Sequence, residues 1–148
     1  MKICLTCSPG GHLLQIMQLE KIYNRYDHFF LTFEERTTKE TAKKENVYFI
    51  KNPKRNLPNA FICFIQSLVV FLKEKPNIVI STGAGVTVFI CYIARFFMRK
   101  VIFIESFSRV TEPSITGRLV YPISNLFIIQ WEPLIKFYKK AVYGGPIF

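Results

Sequence analysis

Short runs of consecutive apolar residues, most without polar alternation, recur along this chain: Lys2–Cys7 (KICLTC), His28–Phe33 (HFFLTF), Val47–Ile50, Ile78–Ile80, Val101–Ile104 and Leu126–Gln130. A strand that is apolar on both faces must be covered on both, which is the condition of a parallel sheet between two layers of helices. The intervening segments supply those helices. Leu13, Leu14, Ile16, Met17, Leu19 and Ile22 recur at helical spacing and predict one first helix of about a dozen residues. Arg36–Glu45 is polar and helix-like, Asn59–Lys75 reads as a long helix closed by Pro76, and Val86–Phe97 as an almost wholly apolar one. Short helices near Ser114–Val120 and Pro133–Lys140 complete the series. Strands alternating with helices predict an α/β fold on one parallel sheet, and 148 residues suit a single domain, 1–148.

Such sheets hold ligands beyond the carboxyl ends of their strands. Three segments fall there: Ser8–His12, Ser81–Gly85 and Glu105–Arg109. In Ser8-Pro9-Gly10-Gly11-His12 the glycines let backbone approach a ligand such as a diphosphate, and His12 is a candidate phosphate contact or general base. Leu13 and Leu14 stand where a dinucleotide fingerprint needs its last glycine, although Glu34 and Glu35 after the second strand offer carboxylates for a ribose. Ser81-Thr82-Gly83-Ala84-Gly85 supplies hydroxyls and small residues at another helix start, without the lysine of a P-loop. Glu105, with Ser106 and Arg109 after it, is a candidate catalytic carboxylate or half of a structural pair.

Twenty Lys and Arg against ten Asp and Glu leave a net charge of +10, which excludes few globular folds but points to an anionic partner. The positives are scattered and no RNP, KH, zinc-finger or helix-turn-helix signature accompanies them, so no nucleic acid is expected. Fifteen phenylalanines in so basic a chain fit a membrane surface or a protein interface. Ala60–Leu72 is bracketed by Lys51, Lys54 and Arg55 before it and Lys73 and Lys75 after it. It is too short to read as a span, so Lys54, Arg55, Phe61 and Phe64 are expected on a peripheral membrane-facing surface. Cys4, Cys7, Cys63 and Cys91 all lie in apolar runs and are expected to be packing residues, with no metal site.

The order of the segments carries further information. SPGGHLLQ, ISTGAGV, FIESFSRV, PSITGRLVYPISNLFIIQW and the terminal YGGPIF together resemble one family along nearly the whole chain. It is the family of the membrane-recruiting subunit of the eukaryotic transferase that adds the second N-acetylglucosamine to dolichyl diphosphate (asparagine-linked glycosylation protein fourteen). Its bacterial relatives, of the PssD and CpsF type, serve exopolysaccharide and capsule synthesis. The sequence also looks like the amino-terminal half of the two-domain GT-B glycosyltransferase that makes lipid II. The resemblance implies a single Rossmann-like parallel-sheet domain equivalent to the amino-terminal half of a GT-B enzyme. It implies a subunit at the cytoplasmic face of the membrane that binds a polyprenyl-diphosphate-linked sugar acceptor and activates a separate catalytic glycosyltransferase subunit, inactive without it. No cofactor is implied, the UDP-sugar donor being held mainly by the partner. Ser8, Gly10, Gly11 and His12 then map to the acceptor-diphosphate loop. Ser81, Thr82, Gly83, Gly85, Ser106 and Arg109 map to the cleft facing the partner, with His12 and Glu105 as candidate catalytic groups. The residues alone leave a nucleotide-binding Rossmann oxidoreductase or a basic nucleic-acid-binding domain as alternatives.

Overall fold

The computed structural model describes residues 1–147. Seven strands form one sheet, parallel throughout: β1 (Lys2–Thr6), β2 (Asp27–Thr32), β3 (Val47–Phe49), β4 (Ile78–Ser81), β5 (Lys100–Ile104), β6 (Leu126–Ile129) and β7 (Val142–Tyr143), in the order β3-β2-β1-β4-β5-β6-β7. The order runs outward from β1 one way and from β4 the other. The crevice between their carboxyl ends is therefore the switch point at which such sheets take ligands.

Strand residues alternate between two cores. On one face Cys4, Phe29, Val79, Val101 and Phe103 pack under α4 (Leu57–Glu74) and α5 (Val88–Phe96), through Cys63, Val70 and Phe71 of the first and Ile90, Cys91 and Ala94 of the second. On the other, Ile3, Leu5, Cys7, Phe30 and Ile80 pack under Leu13, Ile16 and Tyr23 of α1 (Gly11–Met17) and α2 (Glu20–Tyr23). Cys4 and Cys7 thus belong to opposite cores, and burial pushes the Cys7 thiol up to about 12, which keeps it a neutral packing group.

The expected single first helix is two, broken at Gln18–Leu19 by backbone bonds that close on residues three positions back. The break aims Tyr23 edge-on at Phe30 in the core and leaves Ile22 outside. Arg36–Glu45 is helical only over α3 (Arg36–Thr41). The helix α4 starts two residues before Asn59, because Asn56 caps it by accepting from the Asn59 N–H and Pro58 is tolerated in a first turn, where no intrahelical donor is needed. The run expected as a last helix is a 3-10 turn over Glu132–Lys136, and β7 follows it as a two-residue edge strand against Ile128 and Ile129.

One partly buried cluster joins four elements. The Lys2 ammonium donates to Glu74 at the end of α4 (2.8 Å) and lies 3.3 Å from Asp27, while the Tyr48 hydroxyl of β3 donates to the same Glu74. The Lys2 bond, and then the Tyr48 bond, hold the Glu74 carboxyl below its ordinary value. A folded-state value below the unfolded one gives stability that is full above the ordinary carboxylate range and lost as the pH falls through the folded value. Glu74→Gln should therefore cost about 1 kcal/mol at pH 7 and flatten the acid-side fall in stability. Urea unfolding at pH 7 and pH 3 checks this; an equal cost at both would contradict it.

Candidate functional site

Gly10 follows β1 at φ +78, ψ −133, a conformation that glycine alone adopts without strain. The chain then turns into α1 and places His12 in its first turn, against the segment after β4. The two turns are stitched by a reciprocal pair: His12 Nδ1 lies 2.6 Å from the Thr82 carbonyl oxygen, and Thr82 Oγ1 donates to the His12 carbonyl at 2.8 Å. A carbonyl only accepts, so Nδ1 carries the ring proton and Nε2 keeps its lone pair. Burial first, and the charge of Arg109 as well, lower the His12 pKa below its ordinary 6.5, against opposing contributions from the Thr82 bond and Glu105. The imidazole is thus neutral at pH 7. Gly83, at φ +110, lies beside that ring; a Cβ there would stand 3.1 Å from its Cε1.

The rest of this turn corrects one expectation. Ser81 and Thr82 are fully buried, and Ser81 Oγ donates to Thr87 Oγ1 while accepting from the Gly83 N–H. These hydroxyls build the turn instead of facing a partner. From this segment Ala84 reaches the cavity described below, and Gly85 is exposed.

Glu105 also lies elsewhere than expected. It is 1% exposed; Oε1 accepts from the Ser106 N–H, and Oε2 accepts from the Ser114 N–H and the Tyr138 hydroxyl. A carboxylate so committed is a brace under the loop, not a group that can meet a substrate. Its charge and its hydrogen bond add to burial in pushing the Tyr138 phenol well up. Above it the loop is pinned from three sides. Gln15 Oε1 accepts from the Phe107 N–H and from Gln130 Nε2, Gln130 donates also to the Glu105 carbonyl, and Trp131 Nε1 donates to the Phe107 carbonyl at 2.7 Å.

Beside these braces lies a cavity of about 200 Å³ lined by His12, Arg55, Ala84, Ser106, Ser108, Arg109 and Ser114. Ile115 and Thr116 close it. Lys54 and Arg55 are consecutive residues in the left-handed region (φ 45 and 53), and the second reaches this cavity. Arg55 therefore belongs to the site rather than to the membrane-facing group in which its sequence neighbours place it. Ser108, Ser114 and Thr116 were not singled out by the sequence. Ser114 was legible only as a helix start, and its hydroxyl does cap α6 (Ile115–Val120) by accepting from the Gly117 N–H. Glu34 and Glu35 line a different cavity of about 430 Å³, beyond β2 and β3. Ser8 is half-buried, and Gly10 and Gly11 are exposed at the rim of the β1 turn.

Phe61 and Phe64 are exposed on α4 as expected, Phe61 to 67%. The helix itself is longer than its apolar run suggested: its 18 residues, at mean hydropathy 1.4, are long and apolar enough to cross a membrane, yet one stripe of it (Cys63, Ser67, Val70, Phe71) is docked in the domain.

The family described as "Oligosaccharide biosynthesis protein Alg14 like" matches residues 3–147. The chain belongs to that family. The UDP-N-acetylglucosamine transferase subunit ALG14 of Candida albicans is 34% identical over 96 residues, 61% of this chain and 44% of that protein. The subunit of the same name from Yarrowia lipolytica is 30% identical over 173 aligned positions, 97% of this chain and 80% of its own length. The chain thus spans under half of the Candida relative. Among solved structures, Acinetobacter baumannii MurG superposes with a TM-score of 0.74 at 11% identity, over 90% of this chain and 43% of MurG. UDP-N-acetylglucosamine 2-epimerase from Rickettsia bellii gives 0.76 at 14%, over 99% and 43%. These two share the Rossmann-like, GT-B-like fold with it.

Gly117 tests the brace. A Cβ there would collide with the Glu105 carboxylate and fall 2.6 Å from the Tyr138 hydroxyl. Gly117→Ala should destabilise by about 2 kcal/mol, and Tyr138→Phe, which removes one donor, by about 1 kcal/mol. Thermal unfolding of both variants measures this; Gly117→Ala melting with the wild type would contradict it.

Proposed function

We propose that this chain is the acceptor-side, membrane-side subunit of a split UDP-sugar glycosyltransferase. It binds a polyprenyl-diphosphate-linked sugar at the His12 cavity and completes the catalytic cleft with a separate donor-binding subunit. The observation that carries the reading is the convergence of His12, Arg55 and Arg109 on one cavity at the switch point, in a family whose curated relatives are named transferase subunits. Two guanidinium groups at one small cavity suit a diphosphate, whose oxygens they match in pairs. Neutral His12 suits a general base: Nε2 takes the proton from the acceptor hydroxyl as its oxygen attacks the anomeric carbon of the donor and UDP departs. The Thr82 bond fixes the tautomer that this step requires.

The membrane enters through α4. Ile62, Ile65, Val69 and Leu72 form an exposed apolar stripe at helical spacing, with Lys51 and Lys54 near one end and Lys73 and Lys75 at the other. A helix lying with this face in the headgroup region of an anionic leaflet, on the cytoplasmic side, satisfies both the stripe and the charges.

Purified alone, the chain should transfer no sugar; co-expressed with its partner it should. Robust transfer by the single chain would refute the split. In the assembled complex His12→Ala should lower transfer about ten- to a thousandfold at normal complex yield. The acid limb of kcat/KM should lie below pH 6.5, because protonating a histidine of lowered pKa abolishes the base, and His12→Gln should erase that limb. A side chain at Gly11 meets nothing within 4 Å, so Gly11→Val should fold normally, and its loss of activity would report blocked approach of the ligand. Activity of His12→Ala within twofold of wild type would reduce His12 to a stitch between turns.

A further inference from the structure

Between α4 and α5 runs a third cavity, of about 460 Å³, lined by apolar and aromatic residues, among them Phe64, Leu68, Phe89, Tyr92 and Phe96. Its one hydroxyl, on Tyr92, is spent on the Leu119 carbonyl at 2.8 Å. The groove therefore offers a polar ligand nothing.

Its direction is set by the helix pair. Cys63 Sγ sits 3.9 Å from the Val86 carbonyl, the rings of Phe64 and Phe89 are 5.9 Å apart, and those of Phe71 and Phe97 are 5.1 Å apart. Both residue numbers rise together, so the helices run side by side in the same direction, away from the carboxyl ends of the strands. Arg55, in the charged cavity, stands two residues before the first residue of α4. The charged cavity thus lies before the start of α4, and the apolar groove lies further along the same helix.

We propose that the groove holds the isoprenoid chain of the same molecule whose diphosphate lies against Arg55 and Arg109. This rests on the acceptor reading above and deepens it. A cationic cavity before the start of α4 and an apolar groove along that helix are together complementary to an amphiphile with an anionic head and one hydrocarbon tail. Flat contact with a bilayer would instead use the outer stripe, Ile62, Ile65, Val69 and Leu72, which lies on another face of α4 than Phe64 and Leu68. The groove's volume is within the range of cavities that enclose a single ligand.

Binding of geranylgeranyl diphosphate and of inorganic diphosphate to the full chain, measured by calorimetry, tests the proposal. The lipid should bind at least tenfold more tightly than the inorganic ion. Leu68→Trp, which fills the groove, and Phe96→Glu, at a rim position exposed to 81%, should each remove that advantage and leave inorganic diphosphate affinity unchanged. Val69→Glu, on the outer stripe, should weaken binding to phosphatidylglycerol vesicles and spare the lipid preference. Groove variants that keep the full preference, or a preference lost equally in Val69→Glu, would overturn the groove and leave the acceptor reading standing. Wild-type protein that binds neither diphosphate would overturn both.

Discussion

A parallel sheet must be covered on both faces, and here the cover is itself unfinished. On one side short helices end in charge and solvent. On the other α4 and α5 bury Cys63, Val70, Phe71, Ile90 and Ala94 inward and still present Phe61, Val69, Tyr92 and Phe96 outward. Apolar area scattered singly over a surface is ordinary; a contiguous field of it on two adjacent helices is not. The same β-strand requirement that fixes the fold thus commits these helices to the sheet, and their surplus hydrophobicity leaves a surface that water does not satisfy.

The site is stiff for a different reason. No element contributes more than a few residues to the His12 cavity, so its geometry depends on how the loops are joined. The turns after β1 and β4 are joined by two hydrogen bonds between His12 and Thr82, and the loop after β5 by a buried polar set around Glu105, Gln15 and Gln130. Buried polar groups of this kind are costly unless every member finds a partner, and here Glu105 and the two glutamine side chains each have one or more. His12 is held by Thr82, and the loop that carries Ser106 and Arg109 by Glu105, Gln15 and Gln130, none of which lines the cavity.

That division explains what was legible in the sequence. The sheet, its parallel sense and the turns after β1 and β4 follow from local signals: continuous apolar runs, and glycines at strand ends. The SPGGH turn was legible because Gly10 needs its positive φ whatever the tertiary context. Roles inside the turns were not. Serine and threonine at Ser81 and Thr82 look alike in sequence whether they face a ligand or each other, and the bond from Ser81 to Thr87 decides it. Glu105 ends a strand as a catalytic carboxylate would; only Ser114 and Tyr138, 9 and 33 residues away, show that it is a brace. Arg55 escaped because two consecutive left-handed residues in a proline-flanked loop redirect it, which no periodicity reports. The strand β7 is two residues long, below any pattern threshold.

The charge distribution separates two effects that composition merges. The 18 residues of α4 span roughly 27 Å at the helical rise per residue. Lys54 and Arg55 stand at one end and Lys73 and Lys75 at the other, several Debye lengths apart at about 8 Å each under physiological salt. The two groups therefore act independently. Arg55 and Arg109, both exposed, line one small cavity and act together on what enters it. Lys73 and Lys75 are exposed, with Lys73 over the Tyr48 ring at 4.9 Å, and act only across solvent. Added salt screens both groups, since both are exposed, so α4 carries two separate cationic ends, a small share of the scattered positive charge of the chain.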